Sequence, residues 1–255
     1  MDDLLADLPA FTNKTLRAAI IDLDGTMIDT ADDFAAALNG MLARIGAKPT
    51  DRSEVTGYIG KGSENLIRSI LAVRFSASQA AAQFDDALAI YQAEYAKING
   101  LYSSVFPDVA SGLEALRDLG LSLACVTNKP HRFATELLVK FGLAQYFKVV
   151  LGGDSLAQKK PDPLPMLTAC ERLDVLPRET VAIGDSENDA LAGRAAGLAT
   201  LTVPYGYNHG KSVHSVKSDG IVSSLLAAAQ AIAATAAASD AATGTGSAVS
   251  RADID

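Results

Sequence analysis

Five apolar runs, each closed by a polar or glycine-rich turn, constrain this chain more than any other feature. They are Leu16–Leu23, Leu121–Thr127, Lys148–Gly152, Thr180–Gly184 and Leu198–Val203. Nearly continuous Val, Ile and Leu over this length suits strands buried on both faces. Helical periodicities lie between them. Val109, Leu113, Leu116 and Leu119 share one face, with Asp108 as the expected N-cap and Gly120 as the stop. Phe133–Phe141, Pro163–Leu173 and Asn188–Ala196 follow the same pattern, the last closed by Gly197. Alternating strands and helices predict an α/β fold with a doubly wound, parallel, Rossmann-like sheet.

One region breaks the alternation. From about Ala31 to Ser104 only helical patterns and turns appear, with helices expected over Ala31–Ile45, Ser63–Val73 and Ser78–Ile98. An all-helical stretch inserted after the first strand predicts a cap over residues 30–104. The core is then split between 16–29 and 105–227, with linkers near Asp29–Thr30 and Ser103–Pro107. A chain of 255 residues, 49% hydrophobic, can bury such a core plus a smaller satellite. Residues 1–15 are an N-terminal extension. Residues 228–255 are mostly Ala, Ser, Thr, Gly and Asp, and are expected to form a frayed helix followed by disorder.

The formal net charge of -8 argues against a nucleic-acid surface, which needs clustered Lys and Arg. An anionic substrate would need positive charge placed locally, and a bound metal ion supplies it simply. Cys125 and Cys170 sit in apolar stretches without CxxC or zinc spacing, and are expected to be buried thiols in a reducing compartment. The N-terminus lacks the basic and apolar regions of a signal peptide, and no run suits a bilayer span. A soluble, cytoplasmic protein with no membrane partner is expected. The sequence does not distinguish monomer from homodimer.

Ligands of such sheets bind outside the carboxyl ends of the strands. The five ends read Asp22-Leu-Asp-Gly-Thr26, Thr127-Asn-Lys129, Gly152-Gly-Asp154, Gly184-Asp-Ser-Glu-Asn-Asp189 and Pro204-Tyr-Gly206, with Lys159-Lys-Pro161 after the third strand. Hard oxygen ligands beside an anion site suit Mg²⁺. Asp22, at the strand end, can attack phosphorus and form an aspartyl phosphate. Asp24, two residues on, can protonate the leaving alkoxide and later deprotonate water, provided the two carboxylates sit in unequal environments. Asp185 can complete a metal site, and Asp189, one turn into the next helix, can support it directly or from behind. Thr127 and Asn128 can donate to phosphoryl oxygens, and Lys160 can neutralise charge beside the nucleophile. Strand-to-turn punctuation would explain Asp22–Thr26 alone, because Asp-Gly favours turns. A calcium loop fails on spacing, since glycine falls at position four from Asp22 where position six is required. Lys159 and Lys160 cannot both point inward from an extended segment. His131, His209 and His214 share no ligand spacing and are expected in surface or loop roles.

The set Asp22-Leu-Asp-Gly-Thr26, Thr127, Lys160 and Gly184–Asp189 resembles the four motifs of the haloacid dehalogenase superfamily, over about residues 16–226. The helical insert resembles the cap of its C1 subgroup. Asp24 resembles the phosphatases and phosphomutases, because the dehalogenases lack this second aspartate. Val126–Pro130, Gly152–Asp154, Lys159–Pro163 and Tyr205–Gly210 are further similar to bacterial 2-phosphoglycolate phosphatases. That resemblance implies Asp22 as nucleophile and Asp24 as acid/base. It also implies Mg²⁺ on Asp22, on the backbone carbonyl of Asp24 and on Asp185, and places the phosphate lysine directly before the proline, at Lys160. The implied reaction is hydrolysis of 2-phosphoglycolate, a small anionic ester. The alternatives are a sugar-phosphate phosphatase and a mutase of the β-phosphoglucomutase type. Gly60-Lys-Gly-Ser63 precedes a helical run, so Lys61 is either a solvated loop lysine or the group that meets the substrate carboxylate.

Overall fold

The computed structural model describes residues 16–244, with side chains described to 236. The N-terminal extension 1–15 and the last residues, 245–255, lie outside the described part. In chain order the elements are β1 (Ala18–Ile21), β2 (Ile28–Asp29), α1 (Ala31–Arg44), α2 (Arg52–Thr56), α3 (Ser63–Arg74), α4 (Ala77–Ile98), β3 (Ser104–Val105) and α5 (Val109–Asp118). There follow β4 (Ser122–Val126), α6 (His131–Lys140), β5 (Phe147–Leu151), α7 (Leu164–Leu173), β6 (Thr180–Gly184), α8 (Glu187–Ala195), β7 (Ala199–Thr202), β8 (Gly220–Ile221) and α9 (Leu225–Gly244).

The main sheet has the order β5-β4-β1-β6-β7-β8, and every pair is parallel. The chain leaves β1 towards β4 and β5, then returns to the other side of β1 for β6. The carboxyl ends of β4, β1 and β6 therefore meet at the reversal, where open α/β sheets bind ligands. Alternation along each strand sorts side chains between two apolar layers. Ile21, Cys125 and Ile183 enter the cluster containing Leu113, Leu137 and Leu225, while Ile20, Val126 and Ala182 enter the one containing Met166 and Ala169. Full burial of such aliphatic side chains contributes about 1.5–3 kcal/mol each, so both layers hold the sheet in register.

All five expected strands are present. The sixth, β8, was not legible because two residues carry no periodicity. The two expected linkers are more than linkers: they pair as an antiparallel ribbon, Ile28 opposite Val105 and Asp29 opposite Ser104. The helices between them form their own apolar cluster from Leu38, Met41, Ile67, Ile70, Tyr91 and Tyr95, closed below by Phe133 and Tyr207 of the sheet-bearing part. The short α2 was not expected. It is capped by Asp51, whose side chain accepts from the Glu54 N–H.

Two expectations are corrected. Asp108 does not cap α5 through its side chain; it takes φ 61° and makes no side-chain cap bond. The chain beyond 227 is not a frayed end from Ala228 on, because α9 continues to Gly244 and buries Ala228, Ala229, Ala231 and Ile232. Small residues permit this. A Cβ on Gly112 of α5 would lie 2.6 Å from backbone atoms of Leu225 and Leu226, so the two helices touch backbone to backbone there. Alanine contributes little area per residue but allows that close approach. Among the described residues no helix is long and apolar enough to cross a membrane.

Candidate active site

Asp22 is the residue after β1, and its N–H extends the ladder by donating to Ile183 O at 3.0 Å. The chain then turns back on itself: Met27 and Ile28 N–H both donate to Leu23 O at 3.0 Å, and Gly25 N–H donates to Ile28 O at 2.9 Å. Gly25 holds φ 84°, and a side chain there would strike the Asp185 carboxylate. The sharp turn thus packs the Asp22 loop against the end of β6.

Lys160 is the hub of the buried charges. Its Nζ donates to Asp22 Oδ1 at 2.7 Å, Asp189 Oδ1 at 2.6 Å and Val126 O at 2.6 Å, using all three N–H bonds. Burial alone would strip its charge, but Asp189 and Asp22 outweigh that and push its pKa above the usual lysine value. Burial pushes the Asp22 carboxyl up to about 7; Lys160 opposes this, while Asp189 and Asp24 add repulsion. Asp185 follows β6. It is also pushed well up by burial and then by Asp189 and Asp22, although its Oδ2 accepts N–H bonds from Tyr207 at 2.6 Å and Asn208 at 3.4 Å. Asp189 Oδ2 accepts from the Ser186 hydroxyl at 2.7 Å and from its N–H at 3.2 Å, which fixes the carboxylate at the start of α8.

Oxygen atoms of Asp22, Asp185 and Asp189 lie within 4.8 Å of one another. Three buried carboxylates, two of them driven towards protonation by burial first and by mutual repulsion second, form an all-oxygen cluster that a hard divalent cation would relieve. That observation fits Mg²⁺. The carboxylate of Asp24 is not in this cluster. Its Oδ1 accepts from Thr30 Oγ1 at 2.7 Å and Lys129 Nζ at 2.9 Å, so it faces the helical insert. The two aspartates of the first motif therefore occupy unequal environments.

Thr127 closes β4 and lines one small cavity together with Asp22 and Asp24. The cavity of about 30 Å³ is roofed by Phe34, Tyr58, Ile59, Gly60 and Leu66 of the insert. It has room for a water or two, less than a phosphate ester needs.

Two expected site residues are placed differently. The Asn128 amide donates to Gly60 O and Lys160 O, both at 2.8 Å, so both its N–H bonds are used on carbonyls rather than aimed at a phosphate. Lys61 is exposed and is not among the cavity's lining residues, whereas its neighbours Gly60 and Gly62 are.

Further residues of the Thr127–Lys129 and Tyr205–Gly210 segments join this region. Lys129, last of the Thr127-Asn-Lys129 run, is buried against Asp24. The Tyr207 hydroxyl accepts from Thr30 N at 2.7 Å and Ala31 N at 3.0 Å and donates to Asp29 Oδ1 at 2.8 Å, fastening the start of α1. Tyr205 instead donates to Thr26 O at 2.9 Å and packs on Phe106. His209 Nδ1–H donates to Ile59 O at 2.7 Å, and its Nε2 accepts from the Asn188 amide at 3.2 Å, a neutral tautomer bridging sheet loop and insert. Asn188 also donates to Gly60 O at 3.0 Å. No spacing rule marks these residues, because each acts across a long sequence separation. His131 and His214 are exposed, as expected. Both cysteines are free and buried, and burial pushes the Cys125 thiol far up, which removes it as a nucleophile.

These strand-end carboxylates beside one lysine agree with what the chain resembles. The profile of the haloacid dehalogenase-like hydrolases matches residues 19–203. A phosphoglycolate phosphatase of Thiobacillus denitrificans is 43% identical over 214 residues, 84% of this chain and 94% of that protein. The plasmid-borne phosphoglycolate phosphatase of Cupriavidus necator is 45% identical over 212 residues, 82% of this chain and 90% of that protein. A crystal structure described as a predicted phosphoglycolate phosphatase from Haemophilus somnus 129PT superposes with a TM-score of 0.78 at 29% identity, over 84% of this chain and 96% of that one. The chain belongs to the haloacid dehalogenase-like hydrolase family.

Proposed function

We propose that the protein hydrolyses 2-phosphoglycolate to glycolate and phosphate, with Mg²⁺, through a phosphoaspartate on Asp22. The chain is an enzyme of the phosphatase class, as its family and its relatives' activities indicate. The observation that carries the mechanism is the division between the two aspartates: Asp22 lies against Lys160 and the acidic cluster, and Asp24 lies apart against Thr30 and Lys129.

A carboxylate oxygen of Asp22 attacks phosphorus, forming the acyl phosphate as the P–O bond to glycolate breaks. Asp24 gives its proton to the departing alkoxide oxygen. In the second step Asp24 takes a proton from water, the water oxygen attacks phosphorus, and the bond to Asp22 breaks, restoring both carboxyl groups. Lys160 stays within hydrogen-bond reach of Asp22 and offsets charge on the transferring group. Thr127, beside Asp22 in the cavity, donates its hydroxyl to a phosphoryl oxygen. Four carboxylates, Asp22, Asp24, Asp185 and Asp189, face two ammonium groups, Lys129 and Lys160, so an incoming phosphate needs further positive charge. Asp22 and Asp185, with Asp189 behind them and the backbone carbonyl of Asp24, would hold Mg²⁺, which supplies that charge.

In this arrangement residues 30–104 form a cap over a core of 16–29 and 105–227, and closure excludes bulk water from the phosphoaspartate. Two free buried thiols suit a reducing cytoplasm. The test is phosphate release with Mg²⁺ from 2-phosphoglycolate, glucose 1- and 6-phosphates, a nucleoside monophosphate and an aryl phosphate. The substrate assignment stands if kcat/KM for phosphoglycolate exceeds the others by about tenfold, or 1.4 kcal/mol. A flat panel, or a sugar phosphate in first place, overturns it.

A further inference from the structure

We propose that Lys129 is the specificity-determining residue of this site, the cation that takes the carboxylate of the substrate while Lys160 serves the phosphoryl group. The inference rests on the phosphoglycolate reading above and deepens it.

The Lys129 ammonium is buried and only partly satisfied. The Lys129 side chain is 1% exposed. Among the described residues its Nζ has one hydrogen-bond acceptor, Asp24 Oδ1 at 2.9 Å. The ring of Phe34 lies 4.3 Å from Nζ and that of Tyr95 4.7 Å, centroid to nitrogen. An ammonium has three N–H bonds, and aromatic faces satisfy it only weakly compared with oxygen. Such a group, desolvated and short of acceptors, gains from a second anion within reach.

Position supplies the rest. Lys129 lines the same cavity as Asp22, Asp24 and Thr127, and among the described residues no other cationic side chain lines it. Lys160 has no N–H bond to spare, since its three are spent on Asp22, Asp189 and Val126 O. Lys61 is exposed outside. In phosphoglycolate the carboxylate is one carbon from the ester oxygen that Asp24 must protonate. A carboxylate so close to that oxygen comes to rest beside Asp24 and its partner Lys129. The apolar rings of Phe34 and Tyr95 exclude water there, which strengthens the ion pair. A neutral alkyl group in the same place would leave Lys129 with Asp24 alone.

The test compares 2-phosphoglycolate with ethyl phosphate, which lacks the carboxylate, in wild type, Lys129→Met, Lys129→Gln and Lys61→Ala, each with Mg²⁺. Both Lys129 variants are expected to slow both substrates, because Asp24 loses a partner. The ratio of kcat/KM values for phosphoglycolate over ethyl phosphate is expected to fall by at least about 30-fold, chiefly through KM, as when one member of a buried charge pair is removed. Lys129→Gln can still donate to Asp24, so its ratio remains readable if the methionine variant does not fold. If both substrates fall in step and the ratio holds within about threefold, Lys129 serves Asp24 only and the inference is overturned. If Lys61→Ala collapses the ratio and Lys129→Gln does not, the carboxylate contact belongs to Lys61 and the inference is again overturned. A wild type with no preference for phosphoglycolate sinks the substrate reading and this inference together, a pattern distinct from the other two.

Discussion

The carboxyl edge of the sheet and the helical insert above it are built on different principles. At the edge, Asp22, Thr127 and Asp185 each follow a strand whose neighbours are fixed by a hydrogen-bonded ladder and by apolar layers on both faces. Position is inherited from the backbone. The insert has an apolar cluster of its own and meets the sheet loops through a few side-chain links. Gly60 O is held by Asn128 and Asn188, Ile59 O by His209, and the start of α1 by Tyr207. At the return crossing, Asp33 accepts from Gly100 N at 2.6 Å, Tyr102 N at 2.7 Å and the Ser103 hydroxyl. The edge is rigid enough to hold repelling carboxylates together, while the insert rests on links that can be exchanged one at a time. Under the proposed function, a cap that opens for substrate would use the second kind of attachment.

The largest effect is expected at Asp22. Asp22→Asn is expected to lower phosphate release by at least about 10⁴-fold. The same variant should keep its urea midpoint above pH 7, since it removes a repelled buried charge; a folded variant with near-normal turnover would show the nucleophile to be elsewhere. On the insert side, Asp33→Ala should cost about 3 kcal/mol in urea denaturation by orphaning three donors. Tyr207→Phe should cost about 2 kcal/mol, with KM and kcat changing together because the start of α1 is released. Equal losses in a variant of the sheet edge would erase the proposed contrast.

A smaller effect concerns pH. Burial holds the His209 pKa below its ordinary value, and the charge of Lys61 adds to this. The unfolded chain therefore takes up the proton first as pH falls. His209 contributes full stability above about pH 6.5 and loses it below. Between pH 7.5 and 5.5 the wild type should lose more stability than His209→Gln, measured by urea midpoints at each pH; parallel curves would remove His209 from the closing contacts. The smallest effect is expected at Lys61, where alanine should leave KM for every substrate within about twofold.

Much of the sheet edge was legible in the sequence because a parallel strand writes itself as a short apolar run and puts its active residue next in line. Asp22, Thr127 and Asp185 stand one step beyond a strand, Asp24 and Asp189 lie a few residues further on, and Lys160 was singled out by its place before a proline; the structure brings all six into one region. Asn128 was misread for the same reason that the others were found. A strand end says where a residue sits, not where its amide points, and here it turns to Gly60 and Lys160. In the insert, apolar spacing gave the long helices but not α2, whose five residues are too few for a period. The ribbon of β2 and β3 joins residues more than seventy positions apart, and neither strand has a pattern of its own.

The sequence by itself determined the fold class, the helical interruption after the first strand and where the acidic strand ends lie. These follow from local periodicity and from residues one step beyond a strand. Tertiary structure alone decided which partner each charge received. It put Lys129 rather than Lys61 in the cavity, turned Asp24 away from Asp22, and carried α9 across α5 into the core. The reason is that charge pairing and desolvation depend on distance in space, and distance in space between remote segments is written in no local pattern.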